Sequence, residues 1–413
     1  MPSKGAVSDY MTEPSAPVEQ NAPEQDVRRR AVFFIPGFDP IGARRYRELY
    51  RTQGAEQAGI SGYSLGMDGT PRRDGTYGWS AELRDGDQVS EADIRFLGWN
   101  DLVRDAMSDS ALMAYWQMVR TAGIYIFSGA LLRLIRLRTV PMVIALYPIV
   151  MMAFYFNLSF WLAAAAHRLS PPGIDFVVGM VVFLLMMRLT RSYDQKHLYA
   201  FYLMSDYAFA ARRRGRMPEP LARRVASWTD QIEQRIGSVD EVLVVGHSSG
   251  AALAVHVVAE LSRRGAGPVS LLTLGQVIPM VSFLPTAADL RRDLRDVAGA
   301  QSVYWLDVTA PSDGACFALA DPVATAGVSR DGDPNPIVIS GTFLRTLSPE
   351  QLVAYKRRYF RKHVQYLCAF GRPGVYDYFK ITAGALSLRS RFGDRGSTAS
   401  RKVAPVSWFK KVD

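Results

Sequence analysis

Apolar positions in this chain follow three patterns. Short runs rich in branched and aromatic residues read as buried strands: Ala31-Val-Phe-Phe-Ile35, Asp93-Ile-Arg-Phe-Leu97, Val242-Leu-Val-Val245, Ser270-Leu-Leu-Thr-Leu274 and Ser302-Val-Tyr-Trp-Leu306. Weaker strand candidates lie near Tyr63 and over Tyr77–Leu83. Between these runs apolar residues recur at helical spacing, predicting helices over Gly42–Ala58, Asp101–Val119, Met217–Ile236, Ala251–Arg264 and Ala287–Val297. Strands alternating with helices over this length predict an α/β domain, with a mostly parallel sheet flanked by helices.

The third pattern is uncharged. Pro141–Ala166 carries no charged residue over about 26 residues, more than the roughly 20 that cross a bilayer. Pro148 inside it is tolerable in a membrane helix and predicts a kink. After a short link, His167-Arg-Leu-Ser-Pro-Pro-Gly173, comes a second apolar segment, Ile174–Met187. It spans if counted over about 172–190, with Arg188 snorkelling to the surface. The pair reads as a membrane hairpin; the alternative is a buried helical pair in a soluble domain. Just before it, about 122–138, Ile124–Arg138 mixes apolar groups with spaced arginines, as a helix lying on a membrane surface does. Arg133, Arg136 and Arg138 precede the hairpin, Arg188, Arg191 and Lys196 follow it, and its loop holds only His167 and Arg168. The positive-inside rule then predicts two spans, with the α/β domain and both termini on the cytoplasmic side. The expected organisation is a disordered tail (1–30), a first part of the domain (31–120), the membrane region (121–203), a second part (204–388) and a basic tail (389–413).

Composition adjusts this picture in two places. Hydrophobic content of 48% against 21% charged supports a substantial core. The formal charge of +10 is compatible with nucleic acid or with anionic lipid. Its basic groups, Arg212-Arg-Arg-Gly-Arg216 among them, lie beside the hairpin. Membrane lipids are therefore the expected partner and nucleic acid is not. Two cysteines, Cys316 and Cys368, and five scattered histidines lack metal-ligand spacing, so no metal or cofactor is expected.

Candidate chemistry centres on Gly246-His-Ser-Ser-Gly250, a G-x-S-x-G sequence between a predicted strand and a predicted helix. Such a turn thrusts the Ser248 hydroxyl out above the strand, near the positive end of the helix. A second match, Gly62-Tyr-Ser64-Leu-Gly66, runs into a turn-rich polar segment, so Ser64 reads as loop. An activated serine needs a histidine base, oriented by a carboxylate. His363 is the one histidine beyond the last predicted strand. Past that strand lie Asp307, Asp313 and Asp321. Reach favours Asp313, one turn on, while Asp307 continues the strand. Ile35-Pro-Gly-Phe38 closes the first strand in a turn whose Phe38 amide can donate to an oxyanion. Gly37 and Gly42 have the outer spacing of a phosphate loop, but Ala43 and Arg44 stand where Lys and Ser/Thr belong.

With Phe34-Ile-Pro-Gly-Phe38, the Gly246–Gly250 turn, an acid after a late strand and His363, the chain resembles the α/β-hydrolase fold serine hydrolases, esterases and lipases among them. The resemblance covers about residues 31–100 and 218–385. It implies cleavage of an ester, thioester or amide through an acyl-enzyme, with Ser248, Asp313 and His363 catalytic and the amides of Phe38 and Ser249 as oxyanion hole. Two features depart from the pattern: Pro36 replaces the histidine usual before the first glycine, and the membrane insertion lengthens the gap to the serine. Membrane anchoring points to a lipid-like or amphiphilic acyl substrate. The alternative is a membrane scaffold or binding protein that kept the fold without turnover. A dinucleotide fingerprint at Gly246 fails, because Ser248 and Ala251 occupy its later glycine positions.

Overall fold

The strand ahead of Ser248, Glu241–His247, is buried along its whole length and lies at the middle of the sheet. The computed structural model describes residues 25–68, 77–107, 110–356 and 358–412. Among them the strands are β1 (Arg29–Ile35), β2 (Ser64–Asp68), β3 (Gly78–Asp85), β4 (Gln88–Phe96), β5 (Glu241–His247), β6 (Val269–Leu274), β7 (Val303–Thr309) and β8 (Ile337–Ser340). They form one mixed sheet in the order β2-β3-β4-β1-β5-β6-β7-β8. Strands β4 through β8 run parallel, and β2-β3-β4 is an antiparallel meander at one edge. This is an α/β fold, as the alternation of patterns predicts.

Strand alternation sorts the core into two layers. Ala31, Phe33, Val242 and Val244 pack with the helix Gly250–Arg263 on one face. Val32, Phe34, Leu243 and Val245 pack against Tyr50, Tyr366 and Phe379 on the other. The register matters for function: Ile35 pairs with Gly246, so the turn after β1 lies beside the turn after β5.

Several boundaries differ from expectation. β2 and β3 are the weaker candidates, and Ser64 begins an exposed edge strand rather than a loop. β4 starts at Gln88, ahead of the predicted Asp93, because the hairpin with β3 recruits its polar first half. β8 was not anticipated: four residues are too few to show a period. The expected helix 101–119 is two, Asn100–Ala106 and Ala111–Phe127. The expected surface helix at 122–138 is likewise broken: Ala111–Phe127 and Ala130–Leu137 meet at a bend of 76°, where Gly129 is left-handed.

Neither terminus follows the tail prediction throughout. The first 24 residues of the expected N-terminal tail lie outside the described residues. From Gln25 on the chain is tied down. Arg30 is buried against Glu241 at 2.6 Å and also donates to the carbonyls of Gly384 and Leu386. The described part of the basic tail is packed on the domain. The Thr398 amide bonds the Val338 carbonyl, those of Val406 and Ser407 bond Thr325, and the Arg133 guanidinium lies 4.1 Å from the Trp408 ring. Backbone pairing beside β8 holds this segment, which composition could not reveal.

Two helices are long and apolar enough to cross a membrane, Thr139–Leu169 and Asp175–His197. They pack as an antiparallel pair, with His167 and Asp175 3.4 Å apart at the connecting end. Val143, Phe154, Trp161, Phe176, Val181 and Leu184 point outward and are half or more exposed, an apolar surface suited to lipid rather than water. After the pair, helix Ala200–Ala211 returns over the domain. Asp194 caps its start, accepting the amides of Ala200 and Phe201 and the Tyr155 hydroxyl.

Candidate active site

Ser248 sits between β5 and helix Gly250–Arg263 with φ of +57°, a backbone conformation that costs a non-glycine residue about 1–3 kcal/mol. The strain persists because the surroundings leave no alternative. The Ser248 amide bonds to Leu274 on β6, and a side chain at Gly250 would meet the carbonyl oxygens of Ile35 and Pro36. Gly37 is needed for the same closeness: a Cβ there would stand 2.9 Å from that of Ser248.

His363 is carried by the short helix Tyr359–Val364, beyond β8. Its Nε2 lies 2.8 Å from Ser248 Oγ, and its Nδ1 lies 2.8 Å from Asp313 Oδ2. A carboxylate can only accept, so Nδ1 carries the proton and Nε2 is left to receive one from the serine. The Asp313 side chain is fully buried. Burial alone would raise its pKa. The His363 charge, the hydrogen bond to His363 and the Ala315 amide outweigh burial and hold Asp313 below the ordinary carboxylate value. His363 is shifted the other way: burial pulls its pKa down, but Asp313, with a further contribution from Asp206, raises it above the ordinary value.

The structure thus brings Ser248, His363 and Asp313 into one hydrogen-bonded line and leaves the other two aspartates elsewhere. Asp307 lies within β7 and accepts from the Thr273 hydroxyl at 2.6 Å. Asp321 caps the turn Pro322–Ala326. Ser64 is at the far edge of the sheet.

The expected oxyanion donors are not equivalent. The Ser249 amide has no acceptor among the described residues. The Phe38 amide is not free as expected: it donates to Ser249 Oγ at 2.8 Å. The Trp99 indole holds the Pro36 carbonyl at 3.0 Å and the Tyr202 hydroxyl holds that of Phe38, fixing the turn.

Four neighbours were not singled out from sequence. Tyr366 donates its hydroxyl to Asp313 at 3.0 Å while accepting the Ala310 amide. It lies three residues after His363, and helical spacing was the one clue to it. His247 donates Nε2–H to the His363 carbonyl at 2.9 Å; burial first, then the His363 charge, pulls its pKa to about 3, so it stays neutral. Asp206 lies on helix Ala200–Ala211, on the face carrying Tyr202 and Phe209, both of whose rings pack at a tilt against Phe38. Burial raises its pKa to about 7 against the opposing His363 charge. Arg138 reaches the backbone around Asp313 from the base of the hairpin. A cavity of about 190 Å³ opens behind Phe209, lined by Met113, Trp116 and Ile124 and by Arg120 and Arg212. None of the three aligned residues lines it; Phe209 is its link to Phe38.

Among the described residues no cluster of His, Cys, Asp or Glu is arranged to hold a metal ion. Both cysteines are buried free thiols. Comparison with known proteins returned no matching family model, no matching curated protein and no matching solved structure.

Proposed function

We propose that this chain is a membrane-anchored serine hydrolase of the α/β-hydrolase type, cleaving an ester, thioester or amide of an amphiphilic acyl substrate. The observation that carries the reading is His363, within 2.8 Å of both Ser248 Oγ and the buried Asp313 carboxylate, beside a serine on a strained strand-to-helix turn. His363 Nε2 takes the Ser248 proton as Oγ bonds to the substrate carbonyl carbon, and the carbonyl electron pair moves onto its oxygen. The Ser249 amide, and that of Phe38 once Ser249 Oγ turns away, receive that oxygen. The protonated imidazole then gives its proton to the leaving group as the bond to it breaks. Water repeats the sequence on the acyl-enzyme and regenerates Ser248.

The substrate class rests on the surroundings. Helix Ala200–Ala211, which returns from the two long apolar helices, lays Tyr202 and Phe209 against Phe38 beside the site. The nearby cavity combines apolar walls with Arg120 and Arg212, a lining that suits a chain with a polar end. A fluorophosphonate should label the purified protein, and Ser248→Ala should abolish labelling while Ser64→Ala leaves it intact. Unlabelled, well-folded wild type would favour the non-catalytic scaffold instead.

A further inference from the structure

Asp313 stands in a loop, 310–316, that belongs to no strand or helix. The fold must therefore supply some other restraint on it. Within the loop the Asp313 amide bonds to the Ala310 carbonyl at 3.0 Å and the Ala315 amide bonds to Asp313 Oδ1 at 2.9 Å. The larger restraint comes from outside. Arg138 Nη1 donates to the carbonyls of Asp313 (2.8 Å) and Cys316 (2.6 Å), and Nη2 donates to that of Pro311 (2.7 Å). One planar guanidinium, with donors in a rigid fork, thus gathers three carbonyls around the acid. Arg138 is the extended residue between helix Ala130–Leu137 and the membrane-length helix Thr139–Leu169. Its own amide bonds to the Leu134 carbonyl at 2.9 Å, and Lys402 Nζ holds the adjacent Leu137 carbonyl at 2.5 Å. The base of the hairpin is stitched to the acid loop at this point.

We propose that Arg138 is a positioning residue that ties the base of the membrane hairpin to the acid loop and keeps Asp313 aligned with His363. The inference rests on the serine-hydrolase reading above. It makes the hairpin part of the catalytic framework as well as an anchor. Without the guanidinium the loop loses three hydrogen bonds and Asp313 drifts from Nδ1. The charged and titratable groups facing His363 are Asp313 and Tyr366, His247 from β5, and Asp206 from helix Ala200–Ala211. Of these, Asp313 is the one Arg138 controls.

The test uses full-length protein in bilayers and reads the rate constant of fluorophosphonate labelling against pH, together with the fraction finally labelled. Arg138→Ala should label about 10²-fold more slowly, the scale of a misplacement near 1 Å. Its acid limb should move to lower pH, because burial then dominates the His363 imidazole. Arg138→Lys, a point charge with fewer reachable acceptors, should fall between the two. Added guanidinium ion should restore part of the rate to Arg138→Ala and none to Ser248→Ala. A purely structural role would lower the labelled fraction and leave the rate constant and acid limb at wild-type values; that result, or unchanged labelling throughout, overturns the proposal. If folded wild type does not label at all, the hydrolase reading fails first and this inference falls with it.

Discussion

Asp307 lies within β7 and Asp313 in the loop after it, and the two differ in what they face. Asp307 points into the sheet, and burial first raises its pKa to about 8, with the Asp321 charge adding to the rise and the Thr273 hydroxyl opposing it. Asp313 points at an imidazole and is held ionised. The two predict opposite phenotypes. Asp313→Asn should cost about 10⁴-fold in turnover by imposing the wrong tautomer on His363, with little change in melting. Asp307→Asn should keep turnover and change the pH dependence of stability. A carboxyl whose folded pKa lies above its unfolded value contributes fully below the unfolded value and loses that contribution as pH rises through the folded one. Wild type should therefore lose stability relative to Asp307→Asn between about pH 4 and about pH 8, measured by denaturant midpoints. Loss of turnover in Asp307→Asn with an active Asp313→Asn would reverse the assignment. Ser248, His363 and the three candidate aspartates could be picked out in the sequence because the serine turn has a local signature and chain order restricts its partners. Tyr366, Asp206, Arg138 and the Ser249–Phe38 bond could not: each acts through a contact between distant segments, for which no local spacing exists.

Among the elements, helix Ala200–Ala211 joins the two long apolar helices to the site. Its outer end rests on Asp194, and its inner face lays Tyr202 and Phe209 over the Phe38 turn. Asp194 is buried at the end of the second apolar helix, and its two oxygens accept three donors. Asp194→Ala would orphan those donors, at about 1–3 kcal/mol each where water cannot reach. Asp194→Asn keeps one acceptor oxygen and should cost less. Thermal unfolding of both variants in bilayers measures the order; equal, wild-type-like melting of the two would show that the cap is dispensable. The apolar runs and helical periods made most strands and helices readable, because burial on a regular element writes its period into the sequence. The antiparallel start of β4, the four-residue β8 and the bend at Gly129 were not readable. Their ends are set by pairing and packing partners rather than by pattern.

At the scale of the whole molecule, a sheet domain and a pair of helices long and apolar enough to cross a membrane are built from one chain, and Arg138 at the base of the pair reaches the backbone around Asp313. Under the proposed function, that arrangement would restrict which side of a membrane a substrate comes from. Arg133, Arg136 and Arg138 on one flank and Arg188, Arg191 and Lys196 on the other predict that the domain stays on the cytoplasmic side, with the 168–172 link outside. The two native cysteines are both buried, so an introduced thiol can be read against a low background. Pro172→Cys, at an exposed position of the link, should react with an impermeant thiol reagent applied to intact cells. Arg44→Cys, exposed on the first helix of the domain, should react only after the membrane is opened. The spans should also resist extraction by high salt, which removes proteins held by charge alone, and yield to detergent. Labelling of Arg44→Cys from outside would invert the orientation and place the proposed hydrolytic site on the other face. Release by salt would mean that the apolar pair lies on the membrane, so that Arg138 would tie the acid loop to a surface contact instead of a spanning anchor.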